Sequence, residues 1–318
     1  MSRANPLDKY LSKFSKLHVD KNPSRYTLGK APHKSILLLS LIILDKNNKV
    51  DLSNIETNIY LRETWSELWE LLEYNRVGPI HLPLYHMKSD GFWNIEFREG
   101  ISLHQPKSLN QFNEMVKSFS LEPELIELIK KEDTRTQLIN SLLNGGYFSD
   151  GEIQNLKEHI KILDDSFKYE EKINSLIRNE FTMDYGISGE LQPLRSAAFR
   201  RVVLTAYDET CSVCGMKIVT SSGISIIDAA HILPFSHFQN DDIRNGMALC
   251  KTHHWLFDKG LMSVDPHYRV IVSKTIEKEI PDRVITNYNK SEIMLPGEAE
   301  KYPSQIALDW HRENVLQK

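Results

Sequence analysis

Apolar residues recur at helical spacing near the start of the chain: Leu7, Tyr10, Leu11, Phe14 and Leu17 follow Pro6, with Lys9, Lys13 and Lys16 between them. This predicts an amphipathic opening helix. Pro32 then starts a helix over residues 35–44 that is hydrophobic on nearly every face and so belongs in a core. A third helix is predicted from the stripe Ile59, Trp65, Leu68, Trp69 and Leu72, with Ser53 and Glu56 spaced as a capping box. The period then changes. Residues 79–85 are expected to be extended because of Pro79 and Pro83, and 92–97 reads as a strand after the turn at Asp90-Gly91. Helices with a small sheet predict a winged-helix-like binding domain over residues 1–145. Residues 122–179 read as short charged helices broken at Asn144-Gly145-Gly146 and at Asp164-Asp165. Of these, 146–189 are expected to form a helical connector, and a second domain starts at residue 190. The fold class expected is α+β.

Composition bounds the function. A chain of 318 residues has room for two domains, and 41% hydrophobic residues is too many for disorder. The longest apolar run, residues 36–44, is about half of what a membrane-spanning helix needs, which excludes a transmembrane role. Three cysteines cannot all pair within one chain, and the polar start from Met1 to Tyr10 lacks the apolar core of a signal peptide. A cytoplasmic protein without a disulfide framework is expected. The net charge of -4 argues against a nucleic-acid partner until it is divided along the chain. Residues 1–49 carry ten Lys and Arg against three Asp and Glu, a balance of +7, whereas residues 101–190 carry ten against sixteen, a balance of -6. Lys9, Lys13 and Lys16 are then either the solvated face of a helix or a phosphate-facing surface.

All three cysteines fall in the second domain. Cys211-Ser212-Val213-Cys214 is followed by Cys250-Lys251-Thr252-His253, two knuckles with the spacing of a tetrahedral Cys3His zinc site. Four protein ligands leave no open position for water, so such a zinc is structural. Between and after the knuckles stand Asp228-Ala229-Ala230-His231-Ile232-Leu233-Pro234, Asn245-Gly246-Met247-Ala248-Leu249 and His254-Trp255-Leu256-Phe257-Asp258-Lys259-Gly260. With these residues the segment resembles the HNH, or ββα-metal, nucleases of the restriction-enzyme branch, over roughly residues 200–272.

The resemblance implies that His231 is the base that takes a proton from the attacking water, a task suited to a neutral imidazole. It also implies that Asn245 orients this base through backbone near it, and that His254 binds a catalytic divalent ion. Asp258 lies four residues beyond His254, on the same helix face, and adds a hard oxygen ligand suited to magnesium or manganese. Many members of the family carry a further ligand just before the base, where this chain has Ala230. Asp228, two residues earlier on a strand, is the candidate replacement.

The first domain also has relatives in sequence pattern. Ala31-Pro32-His33-Lys34-Ser35-Ile36-Leu37-Leu38-Leu39, His81-Leu82-Pro83-Leu84-Tyr85-His86-Met87 and Ser89-Asp90-Gly91-Phe92-Trp93 resemble the sulfur-binding domain of phosphorothioated-DNA-binding restriction endonucleases. By that resemblance, His33 and Lys34 contact the modified backbone and Pro83 with His86 forms part of a sulfur pocket. Trp93 is assigned to the core. The resemblance departs from the family pattern at Leu82, where an aromatic residue is common, and at His86, where a small one is.

The leading expectation is therefore a modification-dependent restriction endonuclease that binds phosphorothioated double-stranded DNA and cuts it with a one-metal HNH site, with a homodimer as a reasonable assembly. An HNH nuclease reading methylated or hydroxymethylated cytosine, or an unmodified site, stays open. So does a non-catalytic zinc module that only binds DNA.

Overall fold

Residues 35–44, the most apolar stretch of the sequence, lie at the centre of the first of two units. The structure, a computed structural model, describes every residue except 1–4, 23, 24, 27, 73, 75–77, 102, 103, 184–191, 221 and 280–282, and leaves out the side chains of 277–279, 283 and 284. One unit comprises residues 1–164 with 220–224, and the other residues 165–219 with 225–318. Among the described residues no helix is long and apolar enough to cross a membrane.

The first unit opens with α1 (Pro6–Ser15), capped by the Asn5 side chain, which accepts from the Leu7 amide. Helix α2 (His33–Lys46) is buried from Lys34 to Leu44, and its one mid-helix hydroxyl, Ser40, is satisfied by donating to the Ile36 carbonyl. Around it come α3 (Ile59–Glu70), α4 (His81–His86), β1 (Trp93–Phe97), α5 (Leu109–Met115), β2 (Val116–Leu121), α6 (Pro123–Lys130) and α7 (Glu132–Leu143). Helix α2 packs against α3, α4, α6 and α7, and α1 covers α6 and α7. Strands β1 and β2 form an antiparallel ribbon in which Trp93 stacks on Phe119 at 5.5 Å. Trp93 is a core residue.

Three expectations about this half are corrected. Ser53 and Glu56 do not cap α3: Ser53 bonds to the Asp51 carboxylate in a preceding turn, and Asn58, adjacent to the helix, accepts from the Leu61 amide. Residues 81–86 are helical rather than extended, because Pro83 sits in the first turn of α4, where a missing N–H costs nothing. Asp164-Asp165 does not break the chain. Helix α8 (Asp150–Leu176) runs through it for 27 residues. Lys46 and Asn47 donate to the Asp164 carboxylate, and Ser149 with Glu152 forms a reciprocal cap at the start. The division between the two units falls inside this helix.

The second unit contains α9 (Gln192–Ala206), β3 (Ile227–His231), α10 (Phe235–Phe238), β4 (Gly246–Cys250), α11 (Lys251–Asp258), β5 (Met262–Val264), β6 (Val270–Val272), α12 (Lys274–Glu279), α13 (Arg283–Thr286) and α14 (Gln305–Asn314). Strands β3 and β4 pair antiparallel from Ile227 opposite Cys250 to His231 opposite Gly246, and α9 and α11 both pack on this hairpin. The whole is an α+β chain with three two-stranded sheets among the described residues. Inside the second unit, Arg201 is wholly buried against Glu170 at 2.5 Å and lies over the Phe167 ring.

Gly260, two residues beyond α11, has φ of 66°, and a side chain there would run into the backbone of Val315, while Gln317 donates its amide to the Gly260 carbonyl. A glycine is required by both conditions.

Candidate metal centre and active site

The hairpin brings the two knuckles together. Sγ of Cys211, Cys214 and Cys250 and a ring nitrogen of His253 all lie within 4.8 Å of one another, the one such cluster among the described residues. Cys250 ends β4 and stands immediately before α11, and His253 follows in the first helical turn. Nδ1 of His253 is 3.5 Å from Cys211 Sγ and 3.2 Å from Cys250 Sγ. Those separations fit a tetrahedral zinc, whose Zn–S and Zn–N lengths imply S···N edges of roughly 3.5 Å. The bond from Cys250 lowers the Cys211 thiol against the upward push of burial, and the same bond raises Cys250.

A cavity of about 370 Å³ in the same unit is lined by Ala229, His231, Pro234, His254, Phe257, Asp258 and His311. His231 ends β3, with its ring parallel to Phe199 of α9 at 3.9 Å and 7°. Gly246 sits directly across the hairpin from His231, and a side chain there would collide with Val203 and Phe199. The glycine after Asn245 thus lets α9 approach and support the imidazole. Asn245 is fully buried: its Oδ1 accepts from the Leu233 amide, and its Nδ2 donates to the carbonyls of Leu233 and Asn240. The amide therefore holds the loop that follows His231.

His254 projects from α11 between two carboxylates. Its Nδ1 is 3.1 Å from Asp228 and its Nε2 is 3.4 Å from Asp258. Burial pushes the Asp228 carboxyl up, but bonds from His254 and Lys251 outweigh it and leave it at about 2. The bond to Asp228 raises His254 above its ordinary range. Asp258 lines the cavity and Asp228 does not. Asp258 thus meets His254 at Nε2 on the cavity side, and Asp228 meets it at Nδ1. Ala230 is fully buried.

Residues 211–265 match the HNH endonuclease family. The match takes in both Cys/His knuckles, His231, Asn245, His254 and Asp258. Over those residues the chain is similar to HNH endonucleases. No curated protein matches the chain. A solved structure, a modification-dependent TagI restriction endonuclease, aligns over 39% of this chain and 39% of its own length, at 23% identity and a TM-score of 0.30. This chain therefore spans well under half of that protein.

The HNH segment also rests on residues that sequence spacing does not reveal. Nε2 of His231 lies 2.8 Å from the buried carboxylate of Asp241, which Arg195 and Tyr169 also contact. His311 of α14 stacks on Phe257 at 3.7 Å, its Nε2 meets the Phe257 carbonyl, and burial pushes it down to about 4. Asp241 stands near Asn245 in sequence, but nothing in the spacing marks it as a partner of His231.

The first unit holds a second cavity, also about 370 Å³, and His33, Lys34, Pro83 and His86 all line it with Arg25, Tyr26 and Asp20. His33 packs on Trp69 at 4.5 Å, and burial pushes it down to about 4, so it is neutral. Burial also lowers His86. Burial lowers Lys34 as well, opposed by its bond to Asp90 at 2.5 Å. Asp90 also accepts from the His18 amide. Two of the three front lysines are engaged within the unit, Lys9 with Glu122 and Glu124, and Lys13 with the carbonyls of Asp90 and Gly91.

Proposed function

We propose that the protein is a modification-dependent restriction endonuclease that hydrolyses DNA at the HNH cavity and reads phosphorothioated DNA with the cavity of its first unit. The observation that carries the nuclease reading is that His231 and His254, each backed by a carboxylate, line one cavity inside the HNH match. Nδ1 of His231 accepts the proton of the attacking water, and the Asn245 amide keeps the loop behind that imidazole in place. His254 and Asp258 would hold a magnesium or manganese ion, which would supply positive charge against the charge building on the scissile phosphate. Zinc at the Cys3His group ties the first knuckle to the end of the hairpin and the start of α11.

The first cavity supports a reader of soft, poorly hydrated groups. Its wall includes Val19, Ala31, Leu82 and Pro83, burial favours the neutral form of His33 and His86, and Arg25 supplies a cation. A non-bridging sulfur prefers such a surface to the fully hydrated site that suits oxygen. The helices and two-stranded ribbon of this unit are in keeping with the winged-helix-like reader expected from sequence. A second reading draws on the cavity volume, which lies in the range of small-ligand pockets and could take a modified base.

Two measurements test the proposal. With magnesium or manganese, the protein is expected to cleave phosphorothioated plasmid, and His231→Ala to lose about 10²–10⁴-fold in rate with binding intact. Unchanged cutting by that variant would remove the mechanism. Gel shifts with phosphorothioated, hydroxymethylated, methylated and plain duplexes separate the readers, and equal affinity for all four would end the modification-dependent reading. Cutting both strands with one centre per chain favours a homodimer on DNA, which light scattering of the complex checks.

A further inference from the structure

We infer that Asp241 is a positioning residue that fixes His231 as its Nε2–H tautomer, so that Nδ1 is the atom left to take the proton; this rests on the reading of His231 as the base. Arg195 is almost fully buried, with its guanidinium over the Phe235 ring at 3.2 Å and Nη1 at 2.8 and 2.7 Å from the two oxygens of Asp241. An arginine stays charged in any protein, and a buried cation needs a compensating anion, so Asp241 is ionised. The Tyr169 hydroxyl donates to its Oδ2 at 3.0 Å.

An ionised carboxylate can only accept. Its Oδ1 lies 2.8 Å from Nε2 of His231, so that nitrogen carries the hydrogen. Nδ1 then holds the lone pair, and it has no partner among the described residues. The parallel Phe199 ring limits rotation of the imidazole out of this plane. In the reaction the water oxygen forms its bond to phosphorus, the water proton passes to Nδ1, and the phosphorus bond to the leaving oxygen breaks with its electron pair staying on that oxygen, which takes a proton from solvent water. Asp241 then faces an imidazolium and stabilises it through the same hydrogen bond. Arg195 balances the carboxylate, so the cavity gains no net negative charge to repel the phosphate.

Asp241→Asn alone would leave Arg195 charged and unpaired, so the informative protein is the full-length, zinc-loaded Arg195→Gln/Asp241→Asn double variant. It is expected to fold with normal zinc content and DNA affinity, while kcat falls about 10²–10⁴-fold and KM holds. In histidine-ring ¹⁵N–¹H spectra, assigned with His231→Ala, wild-type His231 should appear as one Nε2–H tautomer and the double variant as a mixture. Cleavage close to the wild-type rate, or an unmixed Nε2–H signal in the double variant, overturns the inference. A wild-type spectrum showing the Nδ1–H tautomer overturns it as well, whether or not the double variant folds. Retained cleavage by His231→Ala would instead remove the base assignment, while the spectra still decide whether Asp241 sets the tautomer.

Discussion

In the first unit, one continuous apolar helix carries the pocket: His33 and Lys34 are the opening residues of α2, whose remaining turns fill the core. In the second unit, His231 and His254, the proposed base and metal ligand, stand on a short hairpin and an eight-residue helix, and beside the Phe199 ring the groups that hold them are polar: a Cys3His cluster, Asp228 behind His254 and Asp241 behind His231. The first pocket is held by burial, with its charges cancelled in the Lys34–Asp90 pair, whereas the second is held by directional bonds. Hydrophobic burial is tolerant of direction and suits a surface that selects by shape and softness. Proton transfer needs an atom placed to a fraction of an ångström, which only hydrogen bonds and metal ligation supply.

The sharpest way to break this comparison is to disrupt the Cys3His group proposed to hold zinc. Cys250→Ser should unfold the second unit, since structural zinc contributes on the order of 10 kcal/mol, and cleavage should vanish while hydrogen exchange in α2 stays slow. Equal loss of protection in both units would mean that they do not differ as described.

The next effect tests the cancelled charge. Lys34→Ala leaves Asp90 buried without its ion and should cost about 3–5 kcal/mol, recovered in part by adding Asp90→Asn. Denaturant titration reads both. A DNA-binding loss in Lys34→Ala counts as a contact only if the double variant shares it.

Acid gives a smaller effect with a defined sign. His33 titrates at about 4 when folded, below the ordinary value near 6.5, so the unfolded chain takes up the proton first. Stability is full above about pH 6.5, falls by up to about 3 kcal/mol as pH drops to about 4, and levels below that. His311 imposes the same slope on the second unit. His33→Gln should flatten the profile of the first unit in hydrogen exchange and leave that of the second unchanged. Smallest of all is Lys9→Ala: its pairs with Glu122 and Glu124 are exposed, and the change should stay below about 1 kcal/mol.

The helix over residues 35–44 and the strand near 92–97 were legible because their patterns are local. So were the knuckles, His231, Asn245 and His254, whose spacing is set by one hairpin and the helix after it. Misreadings came where a neighbour decided the outcome. Asn58 displaced Ser53 as a cap because it stands next to the first helical residue. Pro83 fits inside a helix because it falls in the first turn, and α8 continues past Asp164 because Lys46 and Asn47 meet that carboxylate.

By itself the sequence determined which residues can ligate zinc, which imidazoles stand at the end of β3 and on α11, and that α2 must be buried, because each follows from side-chain chemistry at short, fixed spacing. Only the tertiary structure decided which nitrogen of each imidazole is held, and by what. Tyr169, Arg195 and Asp241 come from separate segments, and Asp228 and Asp258 reach opposite sides of one ring. Such partners are set by packing in three dimensions, for which spacing along the chain carries no signal.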